Sequence, residues 1–191
     1  AQIKQLPLPH GGETWRLAGL RQQAESFRSE GRAVVMKSLC AGMVEMAERL
    51  RGMENFLVDL LANRAAAEAL LQRILEIKLA FWEQALPQLG DGLDVVMEAD
   101  DYGTQESQLV PPDVFREVVK PRLAQLFGRI RQLAPDVRIL FHSCGSVRPI
   151  IPDFIEIGVD ILNPVHVTSA GMEPVALKRD FGDSLDRKSV V

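Results

Sequence analysis

His142 and Cys144 stand two residues apart at the end of an apolar run, Val137-Arg138-Ile139-Leu140-Phe141. In a strand, residues i and i+2 share a face, so this spacing brings an imidazole and a thiol to one side. Together they suit zinc, but two donors do not make a site. A catalytic zinc takes three protein ligands and keeps one position open. By spacing alone the plainer use, a packed histidine beside a small cysteine, stays open. Asp100 and Asp101 follow a second apolar run, Asp94-Val95-Val96-Met97-Glu98. If the strand continues, adjacent side chains point to opposite sides, so one of the two carboxylates faces the pocket. There it could accept a hydrogen bond from a substrate or orient a metal-bound histidine. The other would cap a turn or be solvated. Both are candidate catalytic residues. Glu98 lies one strand repeat before Asp100 and is a candidate further metal ligand. Its more ordinary use is as the buried partner of a basic residue.

The elements that must position these residues alternate regularly. Ala33–Leu39 reads as a buried strand, followed by helical spacing at Met43, Met46, Ala47 and Leu50, a stop at Gly52, and a further helix through Phe56, Leu57, Leu60 and Leu61. Asn63 is a plausible N-cap for a long helix from Arg64 to about Leu86, ended by Pro87 and Gly90. After the second strand, Pro111-Pro112-Asp113 opens a helix in which Pro121 should produce a kink. The third strand precedes a helix over about 150–157. The fourth strand, Val159–Leu162, ends at Asn163-Pro164-Val165-His166, and a last helix covers about 173–181. Strand then helix, four times over, implies parallel strands with crossover helices. No Gly-x-Gly-x-x-Gly follows any strand, which removes support for a dinucleotide fold. The chemically useful side chains cluster just after strands, as in a (β/α) barrel with its site at the strand C-termini. The expected fold class is therefore α/β, a partial (β/α)8 TIM barrel of about four consecutive βα units spanning residues 1–185.

Bulk properties narrow the function. The 191 residues are 47% hydrophobic and 25% charged, with 22 Lys and Arg against 26 Asp and Glu, a formal charge of −4. No broad basic face is expected, so nucleic acid is not an expected partner. No apolar stretch is long enough for a membrane span, and no basic-then-apolar leader opens the chain. The two cysteines, Cys40 and Cys144, are too few for a disulfide framework. These features lead to the expectation of a cytoplasmic protein with reduced thiols and no membrane partner. Residues 186–191 have no structural logic in the βα pattern and can be translated from one frame of a common sequencing adapter. They are expected to form a non-native tail.

Three segments, Glu98-Ala-Asp-Asp-Tyr-Gly-Thr-Gln105, Phe141-His-Ser-Cys-Gly145, and Val159-Asp-Ile-Leu-Asn-Pro-Val165 leading to Ala170-Gly171-Met172, occur in fixed order and spacing. Together they resemble the uroporphyrinogen decarboxylase superfamily, in particular its corrinoid-dependent methyltransferase branch. The resemblance implies a barrel of about twice this length, so the chain is expected to be a fragment. It also implies zinc on His142 and Cys144, with a further cysteine later in the barrel. The implied reaction is methyl transfer from a corrinoid such as methylcobalamin, free or on a corrinoid protein, to a small-molecule thiol. Gln105 and His166 are the expected substrate-binding residues; His166 departs from the glutamine that related sequences generally carry there. Two alternatives remain: uroporphyrinogen decarboxylase itself, a metal-free carboxy-lyase, and an inactive barrel-derived binding protein.

Overall fold

The computed structural model describes residues 2–189. Its centre is a parallel sheet of β1 (Val35–Lys37), β2 (Val95–Ala99), β3 (Arg138–His142), β4 (Ile161–Val165) and β5 (Asp186–Ser189), paired in that order. A doubly wound sheet reverses its strand order at a switch point. This order never reverses, so each crossover steps one strand onward and the sheet is an arc of a (β/α) barrel. The fifth strand falls on residues expected to lack a structural role: the backbone of Asp186–Ser189 pairs with Ile161–Val165. Val190 and Val191, also assigned to that tail, lie outside the described residues.

Between β1 and β2 the chain forms α1's successors α2 (Met43–Arg51), α3 (Met53–Ala62) and α4 (Arg64–Leu89), α1 itself being Leu20–Ser29. Gly52 separates α2 from α3 with φ 86°, a conformation that suits glycine. The long helix α4 is built from Ala, Leu, Glu and Gln, all good helix formers. Its buried stripe includes Leu71, Ile74, Leu75, Lys78, Phe81, Trp82 and Ala85, which recur at the i, i+3, i+4, i+7 positions of one helical face, so that face packs against the sheet. Asn63 occupies the N-cap position without a side-chain cap bond. Its carbonyl instead accepts from the Ala66 and Ala67 N–H groups. The helix also runs beyond Pro87 to Leu89, one turn further than the sequence suggests.

The next crossover is α5 (Pro112–Val114), a π turn over Phe115–Val119, and α6 (Lys120–Leu133). The wide π turn is how the helix accommodates Pro121, whose ring would collide with the carbonyl four residues back in a regular helix. Two short crossover helices complete the layer, α7 (Ile151–Glu156) and α8 (Pro174–Phe181). The core lies between sheet and helices: Val96, Ile139, Phe141 and Leu162 from the strands meet Phe115, Phe127 and Phe154. Among the described residues, no helix is long and apolar enough to cross a membrane.

Candidate functional site

Strand alternation divides β2–β4 into two faces. Val96, Glu98, Ile139, Phe141 and Leu162 are buried beneath the helices, whereas Met97, Ala99, Leu140, His142, Ile161 and Asn163 are half-buried on the inner face. The register places Ala99 beside His142 and His142 beside Asn163. Just beyond the strand ends, Asp101, His142 and Cys144 converge. Each offers one ligand atom, and these lie within 4.8 Å of one another. The Cys144 Sγ is 3.4 Å from His142 Nε2, which in turn is 3.8 Å from Asp101 Oδ1. Tetrahedral coordination with metal–nitrogen bonds of about 2.0 Å and metal–sulfur bonds of about 2.3 Å separates neighbouring donors by roughly 3.5 Å. The donor set therefore fits a metal ion that accepts nitrogen, sulfur and oxygen, and leaves a fourth position to be filled from the inner face. Burial pushes the Cys144 thiol up, and the adjacent Asp101 carboxylate adds to this. A cation among the three would reverse that electrostatic balance.

The cluster is held by its loops. Successive N–H groups after β3 each find an acceptor on another strand's exit loop or end. Ser143 donates to the Asn163 carbonyl at 2.8 Å, and Cys144 to Asp101 Oδ1 at 2.8 Å. Gly145 donates to His166 Nδ1 at 3.1 Å, and Ser146 to the Thr104 carbonyl at 2.8 Å. His166 Nε2 lies 3.4 Å from Gln105 Nε2, and Ser169 Oγ lies 3.2 Å from Gln105 Oε1. Gln105 and His166 thus meet at the rim, one residue along from Cys144. Asn163 was not singled out from sequence, yet its Oδ1 is 2.7 Å from His142 Nδ1. Its distance from His142 in the chain hides a pairing that only the β3–β4 register creates.

Two expected site residues face the other way. Glu98, expected as a metal ligand, is 2% exposed and bonded to Lys78 Nζ at 2.7 Å and Trp82 Nε1 at 2.6 Å. Burial pulls the Lys78 ammonium down, but the Glu98 charge and hydrogen bond outweigh it and the net shift is upward. Both Glu98 oxygens are committed to α4, because the strand repeat that pairs Glu98 with Asp100 also turns both away from the inner face. Asp100, expected as a catalytic residue, accepts from the Val44 and Glu45 N–H groups at 2.8 and 2.9 Å and from the Tyr102 hydroxyl at 2.8 Å. It closes the N-terminus of α2, where the helix leaves its first N–H groups without internal partners. Burial pushes the Asp100 carboxyl up to about 7, against the pull of those hydrogen bonds. Of the adjacent pair, only Asp101 reaches the donor cluster.

Two further groups border the inner face. Cys40 is half-buried and, with Ser38, Met97 and His142, lines a cavity of about 390 Å³. Burial pushes its thiol up. Glu48 on α2 keeps one buried carboxylate oxygen without a partner, and burial followed by the charges of Glu45 and Asp101 pushes its carboxyl up.

Comparison with known proteins agrees with the architecture. The structure is similar to a methyltransferase from Methanosarcina mazei, with a TM-score of 0.58 at 22% sequence identity; the match covers 76% of this chain and 43% of that one. At that identity the likeness shows the fold. The chain spans less than half of that protein's length. No curated protein matches the chain. The family model described as uroporphyrinogen decarboxylase (URO-D) matches residues 1–177, and the chain belongs to this family.

Proposed function

We propose that the protein to which this chain belongs transfers a methyl group from a corrinoid to a small thiol, with a zinc ion held by His142, Cys144 and Asp101. The observation that carries this reading is the convergence of one imidazole, one thiol and one carboxylate oxygen within 4.8 Å at the strand C-termini. Nitrogen and sulfur donors with a single carboxylate suit zinc. Bound zinc supplies Lewis acidity, which stabilises a thiolate at neutral pH. His142 and Cys144 would hold the ion from β3, and Asp101 would approach it from the β2 exit loop. Asp101 also accepts the Cys144 N–H, so it ties the two loops together whether or not the metal is bound. Gln105 and His166 would orient the thiol from the rim. Methylcobalamin or a corrinoid protein is the proposed donor.

The test is metal content by elemental analysis, with methyl transfer from methylcobalamin to a small thiol as the second readout. We expect Cys144→Ser and Asp101→Asn to lose most of the zinc and of the transfer, and Cys40→Ser to keep both. Full zinc and full transfer in Cys144→Ser would sink the mechanism. The family model's own description supports a second reading, decarboxylation of uroporphyrinogen without a metal. Turnover of uroporphyrinogen by metal-free protein would favour it.

A further inference from the structure

We propose that Asn163 is the positioning residue of the site: it fixes the tautomer and plane of His142 so that Nε2 presents its lone pair to Cys144 and Asp101. This rests on the metal reading of the three donors but makes a claim that can be tested without metal. An imidazole binds a metal through the nitrogen that lacks the proton, and the bond made by the other nitrogen decides which one that is. His142 Nδ1 is 2.7 Å from Asn163 Oδ1. An amide oxygen only accepts, so this contact places the proton on Nδ1. Nε2, 3.4 Å from the Cys144 sulfur, is left unprotonated on the side where the donors converge.

Asn163 is well placed to hold the ring rigidly. It is the β4 residue in register with His142, and its own carbonyl accepts the Ser143 N–H at 2.8 Å. One residue thus fixes both the ring and the loop that carries Cys144. The site's other histidine provides an internal contrast. His166 Nδ1 accepts the Gly145 N–H at 3.1 Å, so a neutral His166 carries its proton on Nε2, where the Gln105 amide 3.4 Å away must turn its oxygen, not its nitrogen, toward the ring. The two histidines are therefore expected in opposite tautomers.

The experiment is long-range nitrogen–proton NMR of the imidazoles in the metal-free chain. The chain has three histidines, and the signals are assigned with His10→Gln and His166→Gln variants. We expect His142 as the Nδ1–H form and His166 as the Nε2–H form. In parallel, zinc affinity is measured by competition with a chromophoric chelator, and the cobalt(II) spectrum reports ligand geometry. Asn163→Leu should weaken zinc binding about 10–100-fold, the range for loss of such a partner, and should release His142 into a mixture of tautomers. Asn163→Asp keeps an acceptor and should restore both. An Nε2–H tautomer of His142 in the parent chain, or parent affinity in Asn163→Leu, would overturn the proposal. If the parent takes up no zinc, the metal reading fails while the tautomer measurement still decides the role of Asn163. If Asn163→Leu does not fold, the parent tautomer and the Asn163→Asp affinity decide it.

Discussion

The exit loops after β2 and β3 touch backbone to backbone, and two glycines make that approach feasible. Gly145 has φ 84°, and a Cβ there would lie 2.4 Å from the carbonyl carbon and oxygen of Gly103 and 2.6 Å from the Thr104 oxygen. None of those atoms can swing aside as a side-chain tip could. Alanine at this position would therefore drive the two loops apart, moving Cys144 and withdrawing the N–H that holds His166. Gly158 is a useful control, since it has φ 92° with nothing within 4 Å of a Cβ. We expect Gly158→Ala to cost only the backbone strain, about 1–3 kcal/mol. Gly145→Ala should cost more and, at the proposed zinc site, also lower the metal content. Urea unfolding and metal content check both, and equal losses in the two variants would show that the loop contact contributes nothing.

At the scale of elements, β2 serves two purposes on its two faces, and only part of this could be read from the sequence. The motif order placed Asp101, His142 and Cys144 after strands, which is where they lie. Alternation could not say which side of β2 faced inward, because Val95 and Val96 are both apolar, so Glu98 stayed open between metal ligand and buried ion-pair partner, and Asp100 between the pocket and a cap; the structure takes the second use for each. The overlooked signal was Lys78, a lone cation in the apolar stripe of α4, which needs a buried counter-charge. Breaking a buried pair leaves an uncompensated charge, so we expect Lys78→Met to cost about 3–5 kcal/mol, and Lys78→Met with Glu98→Leu to recover much of it. Denaturant unfolding of the single and double variants tests this. Asp100 makes the α2 attachment depend on pH. Its folded pKa, about 7, lies above the ordinary carboxyl value of 3.8, so the folded state binds more protons between those values. The contribution of Asp100 to stability is therefore present below about pH 4 and lost as pH rises through about 7, a swing on the order of a few kcal/mol. Asp100→Asn should remove this slope while losing part of the α2 cap at every pH. Unfolding midpoints from pH 4.5 to 8 that leave the parent and variant slopes equal would contradict the assignment.

At the scale of the whole molecule, repeated strand–helix order with chemistry after the strands was enough to identify the class, because the pattern recurs in every unit. The pairing of β5 was not legible, since Asp186–Ser189 is polar and charged and joins the sheet through its backbone. Among the described residues, β1 pairs with β2 alone and β5 with β4 alone. Both outer edges therefore have backbone groups without a strand partner, which is a template for association. Apolar surface beside β1 adds to this. Val35 is 49% exposed, and Trp15, Phe27, Val35 and Leu39 border a cavity of about 720 Å³ beside β1. Apolar surface of this kind, next to a free edge, favours contact with another chain over contact with water. We expect the isolated chain to self-associate, with an average mass in sedimentation that rises with protein concentration. Sulfate should strengthen the association, because the driving force is apolar burial rather than charge. Val35→Lys puts a charge on the edge strand and should weaken it. A single monomeric species at every concentration, unfolding in one sharp transition, would show that the open edges and the apolar surface beside β1 are tolerated in water.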